Sequence, residues 1–281
     1  MASIDRPIFI LGPPRSGTSV LYKTFCTHPD VGFLHHGFKR FPESPRFAHL
    51  LRQLRLVTGT PKEANQFWNR YKTRRNDVMA AEDAPPECIA WYRKTIAGVL
   101  RAQGKSRFAA KCPPQSVRVP WVDAVFPDAL FLVAVRDWRG VVNSTVKKRI
   151  RHETHHKDFW GVRVPGHQEM KELPSEHSAA RVFRIVHEMI EGWQRENPER
   201  FHRVVYSELC EDPRGILRGV ADFCGLAWSA EFEATLPTSQ PCSNYKWKEN
   251  LDPDLIAHIR DVEGPTLDRY TEDALRSPAR S

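Results

Sequence analysis

The chain has no apolar run long enough to cross a bilayer: the longest clear one, Ala129 to Val135, falls far short of the about 20 residues a spanning helix needs. Met1 to Pro7 lacks the basic-then-apolar layout of a signal peptide. The cysteines, Cys26, Cys88, Cys112, Cys210, Cys224 and Cys242, are scattered without a CxxC pair, so neither a zinc site nor a disulfide framework is indicated. Those absences together point to a protein without a membrane span, carrying reduced thiols in a cytoplasm. Linkers rich in Gly and Ser or in Pro are also missing, as are internal repeats, and the 22 prolines are spread through turns. Residues 1–281 therefore read as a single domain with enough apolar content, 41%, to bury a core.

Another absence is more telling. The octapeptide Gly12-Pro13-Pro14-Arg15-Ser16-Gly17-Thr18-Ser19 lies between an apolar run, Ile8 to Leu11, and a helical pattern carried by Val20, Leu21, Thr24 and Phe25. That is a phosphate-binding strand-loop-helix, whose amides favour an anion at the helix N-terminus. A nucleotide triphosphatase would place Lys after the second glycine, and here that position is Thr18. The nearby cation is Arg15, inside the loop. The chain as a whole carries 42 Lys and Arg against 34 Asp and Glu, a formal charge of +8, which favours anionic ligands without naming one.

Further strands are expected at Val31 to Leu34, Arg107 to Ala110, Ala129 to Val135 and Arg203 to Tyr206, with helices between them. The near-continuous apolar stretch before Arg136 suits a central parallel strand buried on both faces. Val141 to Ile150, the stretch from Ala179 to Trp193, and the residues after an Asp252 N-cap with Pro253 at the first helical position all have helical spacing. Strands alternating with helices predict an α/β fold, a three-layer P-loop-type domain with a central, mostly parallel sheet flanked by helices. Arg136 stands at a strand end, and Ser144 about two helical turns later, so both can meet one phosphate.

On these residues the chain resembles the sulfotransferases that use 3′-phosphoadenosine 5′-phosphosulfate (PAPS). Pro13 to Ser19 is similar to their 5′-phosphosulfate loop, in the branch with Pro-Arg-Ser-Gly-Thr, and Arg136 to Ser144 to their 3′-phosphate motif. Weaker similarities follow in family order at Lys111-Cys112-Pro113, at Val205-Tyr206-Ser207-Glu208-Leu209 with Asp212-Pro213, and at Tyr245-Lys246-Trp247-Lys248. The resemblance implies metal-free in-line transfer of a sulfuryl group to a hydroxyl or phenol of a small molecule or glycan, leaving 3′-phosphoadenosine 5′-phosphate. It implies that Pro14, Arg15, Ser16, Gly17, Thr18 and Ser19 hold the 5′-phosphosulfate, and that Arg136, Ser144, Lys246 and Lys248 serve the 3′-phosphate side. Lys111 is then expected at the sulfuryl or bridging oxygen.

The family's general base, usually a Glu soon after the second strand, has no counterpart here. The paired acidic positions fall on His35 and His36, and a neutral imidazole can take a proton at pH 7. His36 is the leading candidate, His35 the second, and Glu43 a distant third. Trp138 replaces the proline common in the family and either packs near the adenosine or caps the sheet. Phe67, Trp68 and Tyr71 suit packing better than acceptor contact. The His-rich stretch 151–172, with His152, His155, His156 and His167, has no ligand spacing for a metal and suits a loop over substrate. Two rivals remain: a P-loop kinase or nucleotide hydrolase, which would require Mg²⁺, and a polyanion-binding module, for which no nucleic-acid motif is present. Neither the acceptor's identity nor the oligomeric state is legible.

Overall fold

The computed structural model describes residues 4–151 and 161–277. Its strands are β1 (Ile8–Leu11), β2 (Val31–Phe33), β3 (Arg107–Lys111), β4 (Leu130–Val135) and β5 (Phe201–Val205). The α-helices, in chain order, are α1 (Thr18–Phe25), α2 (His36–Arg40), α3 (Pro45–Gln53), α4 (Asn65–Trp68), α5 (Pro86–Gln103), α6 (Val119–Val125), α7 (Trp138–Arg151), α8 (Ser175–Glu196), α9 (Tyr206–Glu211), α10 (Pro213–Cys224), α11 (Ala230–Thr235), α12 (Pro253–Glu263) and α13 (Glu272–Arg276). The strands form one sheet in the order β2-β3-β1-β4-β5, and every neighbouring pair is parallel.

Alternation along the strands builds the three layers. Phe9, Leu11, Phe108, Ala110, Phe131, Val133 and Val135 point into a large core, while Ile8, Ile10, Ala109, Leu130, Leu132, Ala134 and Val204 point into a smaller one on the other face. Both faces of β1 and β4 are thus buried, which is why those strands read as unbroken apolar runs. The larger core also takes Phe67, Trp68 and Tyr92, with the Trp68 and Tyr92 rings stacked at 5.6 Å, so this aromatic group is packing material. Trp138, read either as packing near the adenosine or as capping the sheet, is buried there as well.

Because β3 and β4 flank β1 on opposite sides, the chain reverses its direction of sheet growth at β1. Such a switch point leaves a crevice at the carboxyl ends of the strands. The helix expected near residue 253 is present, with the Asp252 carboxylate accepting from the amides of Asp254 and Leu255 at 2.8 and 3.4 Å. β5 is displaced from its expected place: it starts at Phe201, and Tyr206 opens α9 instead of ending the strand. No helix among the described residues is long and apolar enough to cross a membrane.

Two histidines sit wholly inside this packing. His187 lies 4.1 Å from the Tyr270 ring and 4.5 Å from that of Phe183, and burial drives its pKa down to about 3. Burial, with Arg52, His49 and His36 adding to it, lowers that of His35 to about 4. The unfolded chain takes up these protons near pH 6.5, whereas the folded chain resists doing so, so the unfolded state binds more protons in between. Their contribution to stability is fully present above pH 6.5 and is lost as pH falls toward the folded values. We expect each of the two to lower the unfolding free energy by on the order of 2 kcal/mol between about pH 7 and about pH 5. His187→Leu should flatten this acid limb in urea titrations; an unchanged pH slope would refute the assignment.

Candidate active site at the carboxyl ends of the strands

The phosphate loop leaves β1 at Gly12, whose φ of 135° suits glycine, and a Cβ there would lie 2.6 Å from the Ala134 carbonyl oxygen on β4. The loop is tied down from the far side of β1 by Ser116. Its hydroxyl accepts from the Gly12 amide at 2.9 Å and donates to the Gly12 carbonyl at 3.1 Å. Arg15 then takes a positive φ of 76°, a strained conformation for a side-chain-bearing residue, and its own side chain is exposed. Gly17, at φ 94°, starts α1 with no side-chain cap, so the first amides of the helix stay open to an anion. A Cβ on Gly17 would fall 2.4 Å from the Tyr206 ring, which packs directly on the loop. The buried Ser16 hydroxyl has no hydrogen-bond partner among the described residues.

Cations from β3 and from the end of β4 flank this loop. Lys111, almost fully buried at the end of β3, donates from Nζ to Ser19 Oγ at 3.0 Å and to the Glu63 carboxylate. On the β4 side, Arg136 is buried with no carboxylate partner among the described residues. Its Nε donates to Asn244 Oδ1 at 3.1 Å, Nη1 to the Arg15 carbonyl at 3.0 Å and Nη2 to the Ser243 carbonyl at 2.7 Å, and its Cζ lies 4.5 Å over the Tyr206 ring. Burial is the main force lowering the Arg136 pKa from its ordinary value. Asn244 is held in turn by Glu272, whose own amide donates to Asp137 at 3.0 Å. Arg15 Nε donates to Ser144 Oγ at 2.9 Å, so the loop and α7 meet at this bond.

Between the loop and α7 opens a cavity of about 190 Å³, whose lining among the described residues includes Arg15, Arg136, Ser144, Lys147, Lys148, Arg151, Ser243 and Lys246 and no carboxylate. Lys147, Lys148 and Arg151 were not singled out from the sequence. Their signal was present: with Ser144 they follow the i, i+3, i+4, i+7 spacing of one helix face. Lys246 joins the cavity, but Lys248 does not line it and lies 5.4 Å from the Tyr245 ring centre and 5.8 Å from that of Trp247.

The acceptor side differs more from expectation. His35 is buried as the N-cap of α2, its Nδ1 accepting from the Gly37 amide at 3.2 Å while its ring packs 4.3 Å from that of Phe38. Holding a helix start, it is badly placed to receive a proton from a ligand. His36 is exposed in the first turn of α2. Glu43 lies on the outer surface, paired with Arg70 at 2.9 Å and accepting from Trp91 Nε1 at 3.2 Å. The carboxylate brought to Lys111 is instead Glu63, which the sequence reading missed. The Lys62 amide donates to the Leu34 carbonyl at 2.8 Å, beside the end of β2, and so carries Glu63 to the crevice. His167 is buried, with Nδ1 3.1 Å from the Val164 carbonyl, while His152, His155 and His156 lie outside the described residues.

The loop geometry makes a sharp prediction. Gly17→Ala should destabilise the fold by on the order of 2 kcal/mol or more, since it adds both a disfavoured φ and a clash with Tyr206. In urea unfolding, Gly17→Ala with Tyr206→Ala should lose less than the sum of the two single variants. Strict additivity would mean that the ring is not the obstacle.

Comparison with known proteins matches residues 7–230 to the sulfotransferase family. Among individual relatives, the chain is 25% identical to the omega-hydroxy-beta-dihydromenaquinone-9 sulfotransferase Stf3 of Mycobacterium tuberculosis, across 96% of this chain and 76% of that protein. It is 22% identical to protein-tyrosine sulfotransferase A of Caenorhabditis elegans, across 79% of this chain and 50% of that one. Among solved structures, the fold is similar to sulfotransferase STF9 from Mycobacterium avium, with a TM-score of 0.59 and 17% identity over 93% of this chain and 76% of that one. It is also similar to the sulfotransferase domain from the curacin biosynthetic pathway, with a TM-score of 0.54 and 17% identity over 92% and 97%.

Proposed function

The chain belongs to the sulfotransferase family, and on that premise we propose that it transfers the sulfuryl group of PAPS to a hydroxyl or phenol of a small-molecule or glycan acceptor. The observation that carries the donor assignment is the cation-lined cavity holding Arg136 and Ser144, one hydrogen bond away from the phosphate loop through Arg15. Two anion sites joined in this way suit a nucleotide with a 3′-phosphate as well as a 5′-phosphosulfate. The unpartnered Ser16 hydroxyl, the uncapped start of α1 and a buried guanidinium without a carboxylate fit such a ligand. PAPS supplies an activated sulfuryl group; the net reaction forms an O–S bond to the acceptor, breaks the S–O bond to the 5′-phosphate and releases one proton.

The residues divide the work by position. Pro14 to Ser19 hold the 5′-phosphosulfate through loop amides and hydroxyls, with Arg15 adding charge. Arg136, Ser144 and Lys246, joined by Lys147, Lys148 and Arg151, hold the 3′-phosphate. Lys111 stabilises charge building on the bridging and sulfuryl oxygens, work that positioned cations do well in a buried site. For the base we favour Glu63 over His36: its carboxylate reaches Lys111 Nζ, which also contacts Ser19 of the loop, and a base must lie near the reacting group. Glu63 takes the acceptor's proton, and Lys111 beside it holds the carboxylate in place.

Thermal unfolding separates this reading from the kinase alternative. 3′-Phosphoadenosine 5′-phosphate at about 100 times its dissociation constant should stabilise the protein by about 2.7 kcal/mol. A shift with ATP and Mg²⁺ but none with this product would sink the proposal. Arg136→Ala should weaken product binding roughly 10- to 100-fold, the scale of lost charged hydrogen bonds.

The base is tested by kinetics. Glu63→Gln should lower kcat roughly 10²- to 10⁴-fold while the nucleotide's thermal shift persists, and His36→Ala should change kcat little. The reverse pattern would return the role to His36.

A further inference from the structure

We propose that α3 and the turn after it form a peripheral docking surface for an anionic lipid bilayer, set against the acceptor side of the site. Globular helices normally turn their apolar stripe inward. In α3 the inward residue is Ala48, while Phe47 and Leu50 remain 46% and 45% exposed, followed by Leu54 at 59% and Leu56 at 68%. Phe47, Leu50 and Leu54 fall at i, i+3 and i+7 and so share one outer face. Among the described residues, the only other large apolar side chains this exposed are Ile150, Tyr245 and Val262, each in a different part of the chain.

The turn is built to hold this face out. Arg55 adopts a positive φ of 57°, where helices usually end in glycine, and the Leu56 amide folds back onto the Leu51 carbonyl at 2.9 Å. A strained arginine therefore sets Leu56 beside Leu54 at the most exposed edge of the patch.

Charge selects the partner. From Ser44 to Lys62 the sequence contains Arg46, Arg52, Arg55 and Lys62 and no acidic residue. Arg46 and Arg55 are exposed beside the apolar stripe; Arg52 turns inward, with its Cζ 5.3 Å from the Phe33 ring centre. An apolar face bordered by arginines with no carboxylate among them complements a surface of negative headgroups over hydrocarbon. A protein partner with an acidic rim would lack the continuous apolar phase that four neighbouring side chains can enter.

Position gives the patch its use. Phe47 packs on Phe41 with ring centres 5.0 Å apart, and His49 faces His35 at 6.3 Å, so α3 rests on α2. The chain then returns through Lys62, bonded to Leu34, to Glu63 at Lys111. Docking would thus bring the acceptor side of the crevice to the membrane, where an amphiphile presents its hydroxyl. This role for the surface rests on the proposed transfer reaction, whereas vesicle binding itself does not.

The test is flotation of the full chain with vesicles of phosphatidylcholine alone or mixed equally with phosphatidylglycerol. Binding should occur with the mixed vesicles, weaken with added salt, and fall roughly tenfold or more in Arg46→Glu/Arg55→Glu and in Leu54→Asp/Leu56→Asp. All four substituted positions are exposed, and the thermal shift with 3′-phosphoadenosine 5′-phosphate should be retained in each variant as a check on folding and on the donor site. Failure of the wild-type chain to float while that shift persists overturns the docking proposal and leaves the transferase reading standing. A concentration-dependent dimer in solution that Leu54→Asp/Leu56→Asp dissolves would also overturn it, by assigning the patch to a second copy.

Discussion

A guanidinium buried without a carboxylate is costly, because its charge leaves water and no opposite charge replaces it. Arg136 is in that position, and much of the carboxyl edge of the sheet is arranged to hold it. Carbonyl oxygens of Arg15 and Ser243 and the amide oxygen of Asn244 accept three of its five N–H groups, and the Tyr206 ring covers one face. Those partners come from three distant stretches of chain. The carbonyl of Arg15 is available because the loop bends through positive φ, and Tyr206 can approach because Gly17 has no side chain. Asn244 keeps its oxygen toward Arg136 because its nitrogen is committed to Glu272, which Asp137 holds by the backbone. The result is a fixed, oriented positive site, the arrangement that the proposed nucleotide would require.

Legibility from sequence followed burial. β1 and β4, covered on both faces, gave unbroken apolar runs and were located correctly, whereas β5 is an edge strand in which His202 and Arg203 are half-exposed, and its apolar signal was displaced toward Tyr206. The phosphate loop was legible because its chemistry is local: glycines, an arginine and hydroxyls must follow one another at a strand-helix junction. The Arg136 and Ser144 pairing was legible for the same reason, through helical spacing within one segment. Glu63 was not, because 48 residues separate it from Lys111 and only the Lys62 backbone bond to β2 brings it there. His35 misled for a related reason: beside a strand end its position fits catalysis, but a helix start needs a cap, and its Nδ1 supplies one.

The pairing of Lys111 with Glu63 couples the two halves of the proposed chemistry. An ammonium buried at a strand end needs compensation, and among the described residues it gets it from a hydroxyl on the loop and from a carboxylate on the acceptor side. A sulfuryl group seated over the loop would compete for the same ammonium with full negative charge. Each hydrogen bond that Lys111 shifts toward that group loosens its hold on Glu63, leaving the carboxylate freer to meet an incoming hydroxyl. Donor and acceptor steps would then be linked through one side chain, without either requiring a large movement of the backbone. If Glu63 is the base as proposed, it need not stand directly after β2 where the family pattern places it, because any loop that delivers a carboxylate to Lys111 Nζ would bring it near the reacting group.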